Sequence, residues 1–207
     1  MKIHKIDYTG QPVFQPLYAQ NYHILQEEYR YHHNLILPTV SDLDLFENRD
    51  WRMLVGPLTI SVSVDNAVYI YNFIPGHITD LASVPASLRS LVDNDDRRVM
   101  WAALLHDVNY GLHLMEFNYA NLLFFKMIIA EAAPLRKMHR GIHKAWERFK
   151  SWSLATKAYI AVSSPLGRAI YNHKTDIKNL PLRNHMARTV TTRFIRSHNV
   201  EEKNQKS

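Results

Sequence analysis

Residues 58–64 read Leu58-Thr59-Ile60-Ser61-Val62-Ser63-Val64 and alternate apolar with small polar side chains. Alternation with a period of two puts all the apolar side chains on one face of an extended strand, so that face is expected to be buried. Asp65-Asn66 supplies turn chemistry, and residues 68–74 return as a second strand-like run. The stretch predicts an antiparallel β-hairpin, preceded by a shorter strand at 52–55.

The pattern changes from strand-like to helical after Pro85. One helix is predicted to begin near Arg97 and run towards Gly111. A second, over 118–132, is apolar on nearly every face and is therefore expected to be buried. Two more are predicted over 135–150 and 153–162. These elements predict an α+β fold, with a small antiparallel sheet packed on a cluster of α-helices.

The chain length of 207 residues fits one domain with appendages. We expect residues 1–50 to form an irregular N-terminal segment that wraps over the core or meets another subunit. Residues 51–167 are expected to form the α+β core domain, and residues 168–207 a basic, partly disordered C-terminal tail. No run approaches the roughly 18 apolar residues needed to cross a bilayer, so no membrane span is predicted.

Charge and cysteine content narrow the function classes. The formal net charge is +6, and part of it comes from arginines and lysines after residue 183. Such a basic end either makes weak, non-specific contact with nucleic acid or only keeps the surface solvated. The chain has no cysteine, which excludes disulfides, thiolate nucleophiles and cysteine-based zinc sites. A bound metal would therefore depend on His, Asp and Glu ligands.

The residues that could carry chemistry lie in two strings, Thr79-Asp80-Leu81-Ala82-Ser83-Val84-Pro85 and Ala102-Ala103-Leu104-Leu105-His106-Asp107-Val108-Asn109-Tyr110. Each string places a carboxylate, Asp80 or Asp107, where a charge is unfavourable without a partner. If the predicted helix continues, His106, Tyr110 and His113 fall at i, i+4 and i+7 and share one face, with Asp107 about 100° away from His106.

Two interpretations of these residues stay open. In the first they form a site that holds one divalent metal such as zinc or manganese, or that uses His106 as a base oriented by an aspartate. The candidate catalytic residues are Asp80, Ser83, His106, Asp107 and Tyr110. The candidate metal ligands are Asp80, His106, Asp107 and His113. In the second interpretation the same side chains cap a helix and fasten the helices to the hairpin.

The two strings resemble the phage and prophage family called "domain of unknown function 1353". The matching residues are Gly76, Thr79, Asp80, Leu81, Ala82, Ser83, Val84 and Pro85 in the first string, and Ala102, Ala103, His106, Asp107 and Tyr110 in the second. Ala120 and Phe124 match a third, shorter motif. The resemblance extends over roughly 51–167 and leaves both ends of the chain outside it.

Two residues depart from the pattern of that family. His77 stands where an aromatic residue is usual, and Asn121 replaces the aspartate of the third motif. If that aspartate is a metal ligand in relatives, this chain has lost one anionic ligand. The resemblance then implies a site that has degenerated here.

The resemblance implies a phage gene product and adds little about its chemistry. Two functions stay open: a structural, virion- or tail-associated protein, or a metal-dependent or acid/base hydrolase of open substrate, for which cell-wall bonds are one candidate. Its expected partners are other phage structural proteins or further copies of the chain. Its expected location is the host cytoplasm during infection, with incorporation in the virion as the other possibility.

Overall fold

The computed structural model describes residues 1–10, 12–43, 51–80, 97–131, 141–173 and 180–196. The strands in these ranges are β1 (Ile3–Thr9), β2 (Phe14–Pro16), β3 (Arg52–Leu54), β4 (Leu58–Val64), β5 (Ala67–Phe73), β6 (Ile78–Thr79) and β7 (Val190–Arg196). The helices are α1 (Tyr22–His33), α2 (Arg97–Gly111), α3 (Phe117–Glu131), α4 (Gly141–Ser163), α5 (Pro165–His173) and α6 (Leu180–Thr189). The predicted α+β class is confirmed.

The predicted hairpin is the centre of the larger sheet. Strands β4 and β5 pair antiparallel from Leu58 opposite Phe73 to Val64 opposite Ala67. This sheet has the strand order β1-β4-β5-β7, and a smaller sheet has the order β2-β3-β6. Along β4 buried and half-buried residues alternate strictly, as the period of two predicts.

Helices α2, α3 and α4 pack one on the next, and their buried side chains join those of the larger sheet in one hydrophobic core. Helix α3 buries residues on several faces, including Phe117, Leu123 and Met127, as its composition predicts. A second, smaller apolar cluster lies where α1 meets the smaller sheet, around Tyr22 and Trp51. The two cores explain how such short sheets are held in place.

Both ends of the chain contribute edge strands to the larger sheet, which differs from the expected irregular segment at 1–50 and tail at 168–207. Strand β1 pairs with β4, and the Tyr8 ring stacks on Trp101 with 4.2 Å between centroids. At the other edge β7 pairs with β5 over its whole length. The β-branched and aromatic side chains of 190–195 favour a strand, and the arginines among them are compatible with an exposed edge. Residues 174–179 and 197–207 of the expected tail lie outside the described residues.

Helix α4 is continuous where two helices were expected. The Ser151 hydroxyl donates to the Glu147 carbonyl at 2.7 Å, so this serine is satisfied inside the helix and does not end it. Residues 135–140 of the first expected helix lie outside the described ranges. None of the helices described here is long and apolar enough to cross a membrane.

Helix α5 begins directly after α4, at a point where the sequence predicted only a break. Pro165 occupies its first position, where a missing N–H is harmless. The Ser164 hydroxyl accepts the Gly167 N–H at 3.1 Å and caps the new helix. Ser-Pro is therefore a helix start signal here.

Gly167 cannot carry a side chain without moving the α4–α5 junction. A Cβ built there would lie 2.0 Å from the Val162 carbonyl oxygen and 2.7 Å from its carbon, both backbone atoms. We expect Gly167→Ala to lower the free energy of unfolding by about 2–4 kcal/mol. Gly56→Ala is the matched control, since nothing lies within 4 Å of its Cβ position. Urea denaturation measures both, and equal midpoints for the two variants would contradict the close approach.

Candidate functional site

His106 and Tyr110 lie one turn apart on α2 and face α3. Their ring centroids are 3.9 Å apart, and the His106 ring is 4.8 Å from Phe124 of α3. His106 is 2% exposed and Tyr110 is 0% exposed. The predicted common face of these two residues is confirmed, and it is part of the protein interior.

Asn121 of α3 joins these two side chains. Its Oδ1 accepts a hydrogen bond from the Tyr110 hydroxyl and lies 3.0 Å from His106 Nε2, which donates to it as the N–H tautomer. Its Nδ2 points at the Val162 carbonyl oxygen of α4, 3.5 Å away. One fully buried amide therefore connects three helices.

The amide of Asn121 suits this position better than a carboxylate would. An ionised aspartate would turn a second acceptor oxygen towards the Val162 carbonyl, which is itself an acceptor. Two acceptors facing each other in a buried place are unfavourable, whereas the amide N–H donates. Asparagine therefore has a structural reason here that the sequence pattern did not reveal.

Asp107 points to a different element from His106, as the 100° offset predicted. The Thr79 hydroxyl of β6 donates to Asp107 Oδ2 at 2.6 Å, and both residues are 0% exposed. This contact fastens α2 to the smaller sheet. Asp80 follows directly after β6 and is partly exposed, whereas Ser83 lies outside the described residues.

His113 does not lie on the helix face that the sequence predicted, so that prediction is wrong. Helix α2 ends at Gly111, and His113 sits in the following turn with a φ of +51°. Its ring nevertheless approaches this region from outside, because it is 4.3 Å from the Tyr171 ring, which also contacts Tyr110 at 4.9 Å. Tyr171 belongs to α5.

No three His, Asp or Glu side chains in the described ranges are grouped so that they could hold a metal ion. The expected ligands Asp80, His106, Asp107 and His113 are all described: Asp80 follows β6, His106 and Asp107 are on α2, and His113 is in the turn after α2. His106 contacts α3, while Asp107 contacts β6. Metal binding by this set stays a prediction to which the geometry adds no support.

A second buried polar network lies beside the first and was missed as a site at the sequence level. His77 Nδ1 and the Thr189 hydroxyl of α6 are 2.9 Å apart, and that hydroxyl donates to the His185 carbonyl at 2.9 Å. His185 Nε2 lies 2.9 Å from the Gly76 carbonyl oxygen. The one available signal was His77, which departs from the pattern that the resemblance implies.

Both histidines of this network are held neutral by burial. Loss of hydration lowers the pKa of His77 to about 3, an effect that His185 increases and the Asp107 carboxylate partly opposes. Burial likewise lowers the pKa of His185 to about 4, although the hydrogen bond that its ring donates to the Gly76 carbonyl oxygen opposes the shift. Neither imidazole is a good proton acceptor near neutral pH.

Burial also determines what Tyr110 can do. Desolvation raises the pKa of Tyr110 well above its usual value, although the hydrogen bond with Asn121 opposes that shift. The hydroxyl therefore stays protonated and acts as a hydrogen-bond donor. The arrangement of His106, Tyr110, Asn121, Asp107 and Thr79 joins secondary-structure elements through paired buried groups, which rigidifies a core.

The fold and this network define an α+β protein with two antiparallel sheets, the smaller of which is fastened to the helices by buried polar side chains. Residues 60–142 match the family model described as "Protein of unknown function (DUF1353)". The resemblance drawn from the motifs is confirmed over that range, which is narrower than the expected 51–167. No curated protein and no solved structure matches the chain.

Proposed function

We propose that this chain is a non-catalytic structural component of a phage or prophage, associated with the virion or its tail. One observation carries the non-catalytic part of the proposal: Thr79, His106, Asp107, Tyr110 and Asn121 are each at most 2% exposed. A substrate cannot reach such groups unless the packed elements separate. The phage context rests on the family resemblance of the two motifs.

The polar network supports this function by holding the surfaces of the protein in fixed relative positions. It links β6, α2, α3 and α4, and so holds the smaller sheet and these three helices in fixed relative positions. An assembly component needs such rigidity to present its docking surfaces. The proposed partners are other phage structural proteins or copies of this chain, and the basic C-terminal residues would make weak, non-specific contact with nucleic acid.

The first test looks for the chain in purified phage particles by mass spectrometry of density-gradient fractions. We expect its peptides to remain with the particles at a fixed ratio to the major structural proteins. A chain found only in the soluble lysate would exclude a virion component.

The second test separates the structural proposal from the metal-dependent or acid/base hydrolase. The tag-free protein is dialysed without chelator, and its zinc, manganese and iron are measured by plasma mass spectrometry. We expect no near-stoichiometric metal, and we expect His106→Ala to lower the free energy of unfolding by about 3 kcal/mol. Stoichiometric metal that disappears in a folded His106→Ala variant would instead establish a metal site.

A further inference from the structure

The first three turns of α4 carry large apolar side chains on a surface open to solvent. Ile142 is 87% exposed, Trp146 54%, Phe149 57% and Trp152 55%. The first three lie at i, i+4 and i+7, which places them on one side of the helix, and Trp152 continues that side one turn further. We call these four residues the aromatic face of α4.

The aromatic face points away from the body of the protein. The opposite side of α4 buries small side chains, among them Ser151, Ala155 and Ala158, where the helix packs on α3. The Trp146 and Phe149 rings stack with 5.7 Å between their centroids, so the apolar side chains form a ridge. A ridge is convex and has no cavity of its own.

The aromatic face is as large as the largest contiguous apolar patch of a typical soluble monomer, about 300–600 Å², and such patches are often functional. A large aromatic side chain has roughly 150–250 Å² of surface, so the three half-exposed aromatic residues together with the largely exposed Ile142 present on the order of 450 Å². Contiguous apolar patches above a few hundred Å² generally mark interaction sites.

Positive charge accompanies the aromatic face. Helix α4 carries Lys144, Arg148, Lys150 and Lys157 against one carboxylate, Glu147. The Lys150 ammonium lies 5.6 Å from the centre of the Trp146 ring and 3.1 Å from Glu147. An apolar ridge with cationic flanks is complementary to a surface that is apolar below and anionic above.

We propose that the aromatic face of α4 binds the surface of an anionic phospholipid bilayer. The helix lies along the plane of the membrane, with Trp146 and Phe149 at the level of the headgroups and Arg148 and Lys150 against the phosphates. This is peripheral contact and requires no membrane-spanning segment.

A second copy of the chain is a poorer occupant of this face. Two such ridges in contact would bury roughly 900 Å² in total, below the 1,200 Å² or so of a stable protein interface. They would also bring two cationic helices together. Binding to a bilayer needs no minimum area of this kind, since it grows with apolar area and with the attraction between cations and anionic lipid.

The test is co-sedimentation of the full chain with vesicles of phosphatidylcholine containing about 30% phosphatidylglycerol, compared with pure phosphatidylcholine. We expect about tenfold stronger partitioning into the anionic vesicles, decreasing with added salt. Tryptophan emission should shift to the blue on binding. Trp146 and Trp152 are exposed and would enter the interface, whereas Trp51 and Trp101 are already buried.

Paired variants separate this face from non-specific attraction. Trp146→Ser with Phe149→Ser is expected to weaken binding about tenfold or more, and Arg148→Gln with Lys150→Gln about tenfold. The apolar control is Tyr31→Ser with Ile36→Ser, at positions 85% and 67% exposed on another surface. The charge control is Arg193→Gln with Arg196→Gln on β7. Both controls should change binding less than about threefold.

Three outcomes would overturn the proposal. The wild-type chain could partition no better into anionic than into neutral vesicles, or the folded Trp146→Ser/Phe149→Ser variant could bind as the wild type does. Sedimentation velocity could also show a dimer that this variant converts to a monomer, in which case a second copy covers the face. Circular dichroism of each variant confirms that the fold is retained.

Discussion

Lowering the pH from 7 to 4.5 is expected to reduce the free energy of unfolding by about 4–5 kcal/mol through His77 and His185 alone. Burial lowers the pKa of His77 to about 3 and that of His185 to about 4. In the unfolded chain both imidazoles take up a proton near pH 6.5. A loss of this size approaches the whole stability of an ordinary domain.

The sign follows from which state binds the protons. Below pH 6.5 the two imidazoles bind protons in the unfolded chain but not in the folded chain, so acid favours unfolding. The contribution of the two neutral histidines to the free energy of unfolding is therefore complete above about pH 6.5. It is lost as the pH falls towards the folded-state pKa of His185, about 4, and that of His77, about 3. Glu131 acts in the opposite direction, because burial raises the pKa of its carboxyl to about 7. The wild-type profile alone therefore underestimates the histidine contribution.

His77→Phe isolates one histidine. Phenylalanine can keep the edge-to-face contact with Phe73, whose ring centre is 5.0 Å from that of His77. The Thr189 hydroxyl keeps its bond to the His185 carbonyl. We expect the variant to lie within about 1 kcal/mol of the wild type at pH 7. By pH 5 it should have gained about 2 kcal/mol relative to the wild type.

Urea denaturation at pH 7, 6 and 5 measures this difference. His23→Phe, which removes an exposed imidazole from α1, is the matched control and should keep the wild-type profile. Parallel pH profiles for His77→Phe and the wild type would show that His77 takes up its proton equally well in both states.

The elements with strong local patterns could be predicted from the sequence. The alternation in β4 requires a strand with one buried face, and the long apolar run of α3 requires a buried helix. The hairpin and the central helices were therefore predicted to within a residue or two. Strand β7 was not predicted, because its arginines are typical of a solvent-exposed basic tail. Its β-branched residues favour a strand, but the pairing with β5 joins residues far apart in the chain and has no local signal. The start of α5 was missed because Ser164-Pro165 signals either a helix end or a helix start.

The candidate site could be predicted only in part, because its decisive contacts join residues far apart in the chain. Spacing on one helix correctly placed His106 and Tyr110 together, but it also carried the helix on to His113, past its end at Gly111. The hydrogen bonds from His106 and Tyr110 to Asn121 depend on the packing of α3 against α2. The network of His77 with Thr189 spans 112 positions and has no local signature.

Asn121→Leu is expected to lower the free energy of unfolding by about 2–4 kcal/mol, because it removes the acceptor shared by His106 and Tyr110. Each buried donor that loses this acceptor accounts for roughly 1–3 kcal/mol. The Tyr110 hydroxyl has a second hydrogen-bond acceptor nearby, since the Val162 carbonyl oxygen is 3.4 Å away. The loss should therefore fall short of two complete penalties. Chemical denaturation at pH 7 measures it.

Two further variants show whether the effect belongs to this network. Asn72→Leu makes the same chemical change at an exposed position on β5 and should cost about 0.5 kcal/mol or less. Tyr110→Phe removes one donor and leaves the ring, with an expected loss of about 1 kcal/mol. In the Tyr110→Phe background, Asn121→Leu should cost about 1 kcal/mol less than alone, since one of its two orphaned donors is already gone. Strictly additive effects, or equal losses for Asn121→Leu and Asn72→Leu, would mean that the three helices are held together by apolar packing and not by this amide.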